Sequence, residues 1–147
     1  MIALASDHGG YKLKLAIIKY LEQNGYSYKD FGCNSEESCN YADFSEMAAN
    51  SIKNGECKRG IFVCGTGIGM AISANKVNGI RAAVCSDYFS ARCTRLHNDA
   101  NVLCLGQRVV GEGLALELVR VFLETEFEGE RHVLRLNKIA EIEQNQK

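Results

Sequence analysis

"GIFVCGTGIGMA", residues 60–71, is the stretch on which the fold reading turns. Its first five residues form a short apolar run that suits a strand buried on both faces, as parallel sheets require. Gly65, Gly67 and Gly69 follow at every second position, and a helical pattern then runs through Ile72. Strand, small-residue loop and helix in that order is the unit from which parallel sheets are built. In such sheets ligands sit beyond the carboxyl ends of the strands. The small residues among Gly65, Thr66, Gly67, Ile68 and Gly69 let the backbone N–H groups of this loop converge on an anion at the positive end of the helix. A nest of that kind holds a phosphate, or an oxyanion that develops during reaction. Cys64 stands at its mouth, where the same field favours a thiolate and makes it a candidate base or nucleophile. A buried structural cysteine beside a tight turn is the plainer reading, and the position at the ligand edge weighs against it.

Working outward, "IALAS", "IRAAV" and "NVLCL" repeat the doubly buried strand pattern, whereas "YSYKDF" alternates and suits an edge strand. Leu13, Ile17 and Leu21 fall on one helical stripe that Asn24-Gly25 stops. Asp43 followed by Glu46 reads as a capping box opening a helix through Met47 and Ile52. Leu114, Leu118, Val121 and Phe122 mark a further helix, and residues near 131–145 a last one. The expectation is a single α/β domain over residues 1–147, a Rossmann-like three-layer α/β/α sandwich on a five-stranded parallel sheet.

Composition excludes several classes. The net charge of −1 leaves no electrostatic footprint for nucleic acid or an acidic membrane surface. No apolar run approaches the ~18 residues of a membrane span, and "MIALAS" lacks the basic region of a signal peptide. The seven cysteines contain no C-x-x-C pair, so zinc-ribbon and thioredoxin-type motifs are absent. Reduced thiols in a cytoplasmic protein are the expectation. No His, Cys or carboxylate set has metal-ligand spacing along the chain, and no cofactor or metal is expected.

At the other strand ends, "SDHGG" puts Asp7 and His8 at the ligand edge, with Asp7 also suited to capping the next helix. The glycine loop is not a dinucleotide fingerprint, because the residue three after Gly67 is Met70. Nor is it a P-loop, since no Gly-Lys-Ser/Thr occurs. A C-x5-R phosphatase is excluded because Met70 stands where its arginine is needed. "RLHNDANV" ends a helix at His97, with Asn98 and Asp99 leading into the next strand. "GQRVVG" sets Arg108 at the strand edge. Arg131 and Arg135 lie one turn apart on a helix face, either as a solvated basic face or as paired guanidinium donors to phosphate.

Together, "SDHGGYKLK", "CGTGIGMAISANKVNGIRAA", "SARCTRLHNDANVLCLGQRVVG" and "EGERH" resemble the type B ribose-5-phosphate isomerases and their galactose-6-phosphate isomerase relatives over nearly the whole chain. The resemblance implies a metal-free aldose–ketose isomerase that opens the sugar ring and moves a proton between C1 and C2 through a cis-enediolate. It implies Cys64 as the proton-shuttling base, Thr66 as its assistant among the sugar oxygens, and the N–H groups from Gly65 to Gly69 as holders of the enediolate. His97 would open the ring, aided by Asp7, with Asn98 on the sugar. His8, Arg108, Arg131 and Arg135 would surround the phosphate or distal hydroxyls, and Tyr41 would line the pocket. Family members often carry Tyr-Pro where this chain has Tyr41-Ala42. Some replace the cysteine by a glutamate slightly later in the loop, and Cys64 together with Met70 places this chain in the cysteine branch.

The leading expectation is interconversion of ribose 5-phosphate and ribulose 5-phosphate, with a hexose-phosphate isomerase (allose 6-phosphate or galactose 6-phosphate) as the alternative. A non-catalytic sugar-phosphate binder or a thiol redox sensor accounts less well for Cys64, Thr66 and His97 together. The residues themselves allow Cys64 and His97 to serve one site within a chain. The resemblance implies instead a homodimer, or a tetramer of two such dimers, in which His97 reaches into the neighbour's site.

Overall fold

The computed structural model describes residues 1–146. The elements run β1 (Ile2–Ser6), α1 (Tyr11–Gln23), β2 (Tyr28–Asp30), α2 (Tyr41–Lys53), β3 (Arg59–Cys64), α3 (Ile68–Ala74), β4 (Ala82–Val84), α4 (Tyr88–Asn98), β5 (Val102–Gly106), α5 (Glu112–Glu124) and α6 (Arg131–Gln144). The sheet is parallel throughout, in the order β2-β1-β3-β5-β4. The chain order reverses between β1 and β3, so the loops after these strands leave in opposite directions and open a crevice between them.

Period-two alternation assigns each strand residue to a face. Ile2, Leu4, Ile61, Val63, Leu103 and Leu105 join Ile17, Leu21, Leu118 and Phe122 in one core, beneath α1, α4 and α5. Ala3, Ala5, Phe62, Cys64, Val102 and Cys104 face the other way, onto α2 and α3. The second face is lined with small residues (Ala48, Ala49, Ala71 and Ala74 among them), which lets those helices lie close to the strands. Cys64 therefore points toward α3, the helix its own loop opens.

Two expectations need correction. The "IRAAV" run is not a doubly buried strand: only Ala82–Val84 is strand, it is the sheet edge, and Val84 is exposed. An apolar run reads alike at edge and centre, and only the partner count decides. The cap of α2 is Asn40, whose side chain accepts from the Ala42 N–H at 3.1 Å, whereas Asp43 lies inside the first turn. The Tyr41-Ala42 departure thereby acquires a local meaning, since a proline at 42 has no N–H to give this cap.

Lys14 escaped the hydrophobic pattern altogether. It sits on the buried stripe of α1 with a fully buried side chain, and its ammonium donates to both carboxylate oxygens of Asp30, at 2.7 and 2.9 Å, and to the Cys33 carbonyl. This ties α1 to the segment after β2. Lys14→Met keeps the stem and strands the acceptors. We expect it to lower stability by about 2–3 kcal/mol, beneath the ~3–5 kcal/mol of a wholly buried pair because the Asp30 side chain remains 26% exposed. Urea unfolding measures this, and a loss under about 0.5 kcal/mol would mean the ammonium adds nothing beyond its stem.

The last helix lies outside the sandwich. Of its residues only His132 is buried, while Val133, Leu134, Ile139 and Ile142 stand exposed.

Candidate active site

Three strand ends build the first cluster. β3 delivers Cys64, 5% exposed, and its Sγ accepts the Gly67 N–H at 3.0 Å. Gly67 holds that turn in a left-handed conformation, φ +80°, where any side chain is strained, and a Cβ there would also press on the β5 backbone. The Thr66 hydroxyl accepts the Ile68 N–H at 3.3 Å. The N–H groups of Gly65 and Thr66 find no acceptor among the described residues. Two donors without a partner among the described residues therefore directly follow the thiol on one short loop, in keeping with the glycine spacing.

β1 delivers Asp7 and His8 beside it. Asp7 is buried and its carboxylate accepts the Gly10 N–H at 3.1 Å, so the capping role anticipated for it is real. Gly10 has no room for a side chain, because a Cβ would overlap the Val63 carbonyl. A Cβ on Gly9 would lie 3.2 Å from the Gly65 nitrogen and 3.3 Å from Asp7 Oδ1, so this turn abuts the glycine loop. His8 accepts the Cys39 N–H at Nδ1 (3.2 Å), which leaves Nε2 to carry the proton of the neutral ring. From β5 comes Arg108, whose N–H bonds the Gly65 carbonyl at 3.0 Å and whose side chain runs alongside Gly65. Tyr41, at the start of α2, lays its ring against Gly69, where a Cβ would come within 2.8 Å. Asp7, His8, Tyr41, Thr66, Arg108 and the 64–69 loop are therefore one cluster.

His97, Asn98, Arg131 and Arg135 form a second. The residues themselves allow Cys64 and His97 to share one site within a chain, but the fold sets them at opposite edges of the sheet. α4 runs antiparallel to the strands, so its last turn lies beside the strand starts: the Glu128 N–H bonds the Leu96 carbonyl (3.1 Å), and Asn101 accepts from Gly60 at the beginning of β3 (2.8 Å). Five residue steps separate Arg59 from Cys64 along β3. At ~3.3 Å per residue β3 alone spans roughly 17 Å between the two sheet edges that carry the clusters.

In the second cluster the rings of His97 and His132 stack with centroids 4.6 Å apart and planes 18° from parallel. Glu128 Oε2 lies 3.9 Å from His97 Nε2 and 3.6 Å from His132 Nε2, and its other oxygen is 3.7 Å from Arg131 Nη1. Burial, then the charge of Arg131, holds the His132 imidazole below its ordinary pKa. Arg131 and Arg135 are both exposed on one face of α6, with Arg135 Nη1 bonded to the Arg131 carbonyl at 2.8 Å. Asn98 is exposed, and its carbonyl accepts from Arg81 Nε at 3.0 Å. Sequence reasoning missed His132, although "EGERH" contains it. Its one visible sign was its place beside Arg131, and the stacking partner 35 positions away was invisible. In space, donors of His97, Glu128 and His132 converge to within 4.8 Å, a grouping that chain spacing does not suggest.

The Ribose/Galactose Isomerase family matches residues 2–139. The fold superimposes on a ribose-5-phosphate isomerase B from Clostridium thermocellum with a TM-score of 0.98 and 53% identity, covering 99% of each chain. The chain is 44% identical over 143 residues to the ribose-5-phosphate isomerase B of Escherichia coli strain K12, covering 97% of this chain and 96% of that protein. It is also 44% identical over 147 residues to a D-erythrulose-4-phosphate isomerase of Pectobacterium atrosepticum, covering 99% and 97%. No helix among the described residues is long and apolar enough to cross a membrane.

Proposed function

The chain belongs to the ribose/galactose isomerase family, and from that premise we propose that it interconverts ribose 5-phosphate and ribulose 5-phosphate by proton transfer at Cys64. The observation that carries this is the glycine loop, with unpaired Gly65 and Thr66 N–H groups beside a buried thiol at the sheet's ligand edge. His97 opens the furanose by moving a proton from the anomeric hydroxyl to the ring oxygen, with Asp7 assisting and Asn98 on the sugar. The Cys64 thiolate then takes the C2 proton of the open aldose and returns it to C1. Negative charge gathers meanwhile on the enediolate oxygens, which the loop N–H groups stabilise. Thr66 relays the proton between O1 and O2. His8, Arg108, Arg131 and Arg135 bind the phosphate and distal hydroxyls, and Tyr41 closes the pocket wall.

These roles require both clusters at one substrate, which a single chain with its clusters at opposite edges of the sheet does not provide. A two-fold dimer does: each glycine loop meets the neighbour's His97 and arginine cluster, giving two equivalent shared sites. The exposed apolar residues of α6 support this, since a second copy would cover them.

A coupled assay over four-, five- and six-carbon aldose phosphates tests the substrate. We expect ribose 5-phosphate to have the highest kcat/KM, and a preference for a hexose or tetrose phosphate would overturn the pentose reading. Arg135→Ala is expected to reduce kcat/KM for ribose 5-phosphate by about 10-fold or more while changing unphosphorylated ribose little, because a phosphate clamp acts only where there is a phosphate. Equal losses on both sugars would assign the arginine to structure. Prolonged EDTA treatment is expected to leave turnover undiminished, because N–H donors alone can hold the enediolate. Activity lost in chelator and restored by one divalent ion would refute this chemistry.

A further inference from the structure

We propose that His97, Glu128 and His132 form a binding site for a divalent transition-metal ion of the zinc class, and that its occupancy inhibits the enzyme. The three donor atoms already lie within 4.8 Å of one another, and the same carboxylate oxygen of Glu128 lies 3.9 and 3.6 Å from the two imidazole Nε2 atoms. Zinc holds nitrogen and oxygen ligands at ~2.0–2.1 Å, so a tetrahedral site needs donors roughly 3.3 Å apart. Reaching that spacing requires the half-exposed His97 ring to rotate out of its stack on His132, so that both imidazoles point their in-plane lone pairs at one ion, with the Glu128 oxygen drawn in between. Two imidazoles and a carboxylate suit zinc, cobalt or nickel, and disfavour magnesium and calcium, which take oxygen-rich sets.

His132 provides an independent sign. Its side chain is 9% exposed, and its Nε2 is buried without a hydrogen-bond partner among the described residues. A ring nitrogen left unpaired in that way carries a desolvation cost that a metal ion would relieve. In the single chain the His97 and Glu128 side chains are 41% and 39% exposed, and in the proposed dimer they face the shared site that a substrate has to enter. Arg131 engages the other Glu128 oxygen, at 3.7 Å, and leaves Oε2 to the rings. Its charge and that of Arg135 weaken cation binding without blocking it. The site supplies three ligands and an open fourth position for water.

Inhibition rests on the ring-opening role proposed for His97: a metal-bound imidazole has no free nitrogen lone pair at Nε2 with which to move the sugar's proton. Metal binding itself does not depend on that role. The full-length protein, freed of metal, is titrated with Co²⁺ and read by its visible d–d absorption, with Zn²⁺ as competitor. One ion per chain is expected, with no thiolate-to-cobalt charge-transfer band. Glu128→Gln, at an exposed position, and His132→Asn should each weaken binding by at least about 10-fold. In the isomerase assay each variant should need at least that much more Zn²⁺ for half-inhibition of its own uninhibited rate. Absence of binding overturns the site, as does a thiolate band with an affinity unchanged in both variants. Binding that both variants weaken, together with zinc inhibition that neither relieves, overturns the regulatory half alone. Should ribose 5-phosphate prove not to be a substrate, the cobalt titration still decides the site.

Discussion

Cys64→Ala is expected to lower kcat for ribose 5-phosphate by roughly 10²–10⁴-fold, the contribution of a positioned general base, with KM changed little. The sulfur is 5% exposed at the end of β3 and accepts one N–H, from Gly67. Its removal deletes a small side chain and one hydrogen bond, worth about 1 kcal/mol, so the sheet should persist. The loop donors at Gly65 and Thr66 are backbone groups and survive the substitution, which is why binding should outlast turnover. Steady-state kinetics with a parallel thermal melt separates the two effects. A variant keeping more than a tenth of wild-type turnover would remove Cys64 from the role of base. Solvent-proton exchange at C2 of the substrate should disappear with turnover, because the same abstraction step feeds both.

The second large effect concerns assembly. Cys64→Ala and His97→Ala chains, each nearly inactive, are unfolded and refolded together in equal amounts. Random pairing makes half of the dimers mixed, and each mixed dimer has one site with both residues intact and one lacking both. Activity should therefore return to roughly a quarter of wild type, by two-fold site counting. Were both residues drawn from one chain, every site would lack one of them, and mixing would recover only the average of the two variants. The placement of His97 at the strand-start edge, with Cys64 at the opposite end of β3, makes recovery the expected result. Mixed dimers identified by mass spectrometry with no regain of activity would sink the shared site.

Much of this molecule is legible in its sequence because the signals are local. Period-two strands, the Leu13-Ile17-Leu21 stripe and the glycines of the 64–69 loop each report on neighbours a few residues away. The α/β class, the strand-to-helix units and the cluster of Asp7, His8, Thr66 and Arg108 around Cys64 follow from them, since every one of these residues comes just after a strand. Errors arose where a non-local partner decides. Val84 is exposed because nothing pairs beyond β4, and Lys14 is buried because Asp30 and the Cys33 carbonyl receive its charge. Asn40 rather than Asp43 caps α2 because the helix begins at Tyr41, which leaves Asp43 inside its first turn.

The sequence by itself determined the layered fold, the sheet edge at which the post-strand loops gather and the placement of a thiol at the mouth of a glycine loop. These depend on side-chain period and on backbone freedom within a few residues. Only the tertiary structure decided which candidates can meet. A helix that returns antiparallel to its strands carries its last residues to the opposite edge, so His97 and Cys64 separate although both lie at element ends. The same return brings His97 against Glu128 and His132, more than 30 positions away, because α5 and α6 pack beside α4. Proximity between distant positions comes from the packing of whole elements, and no local pattern carries that information.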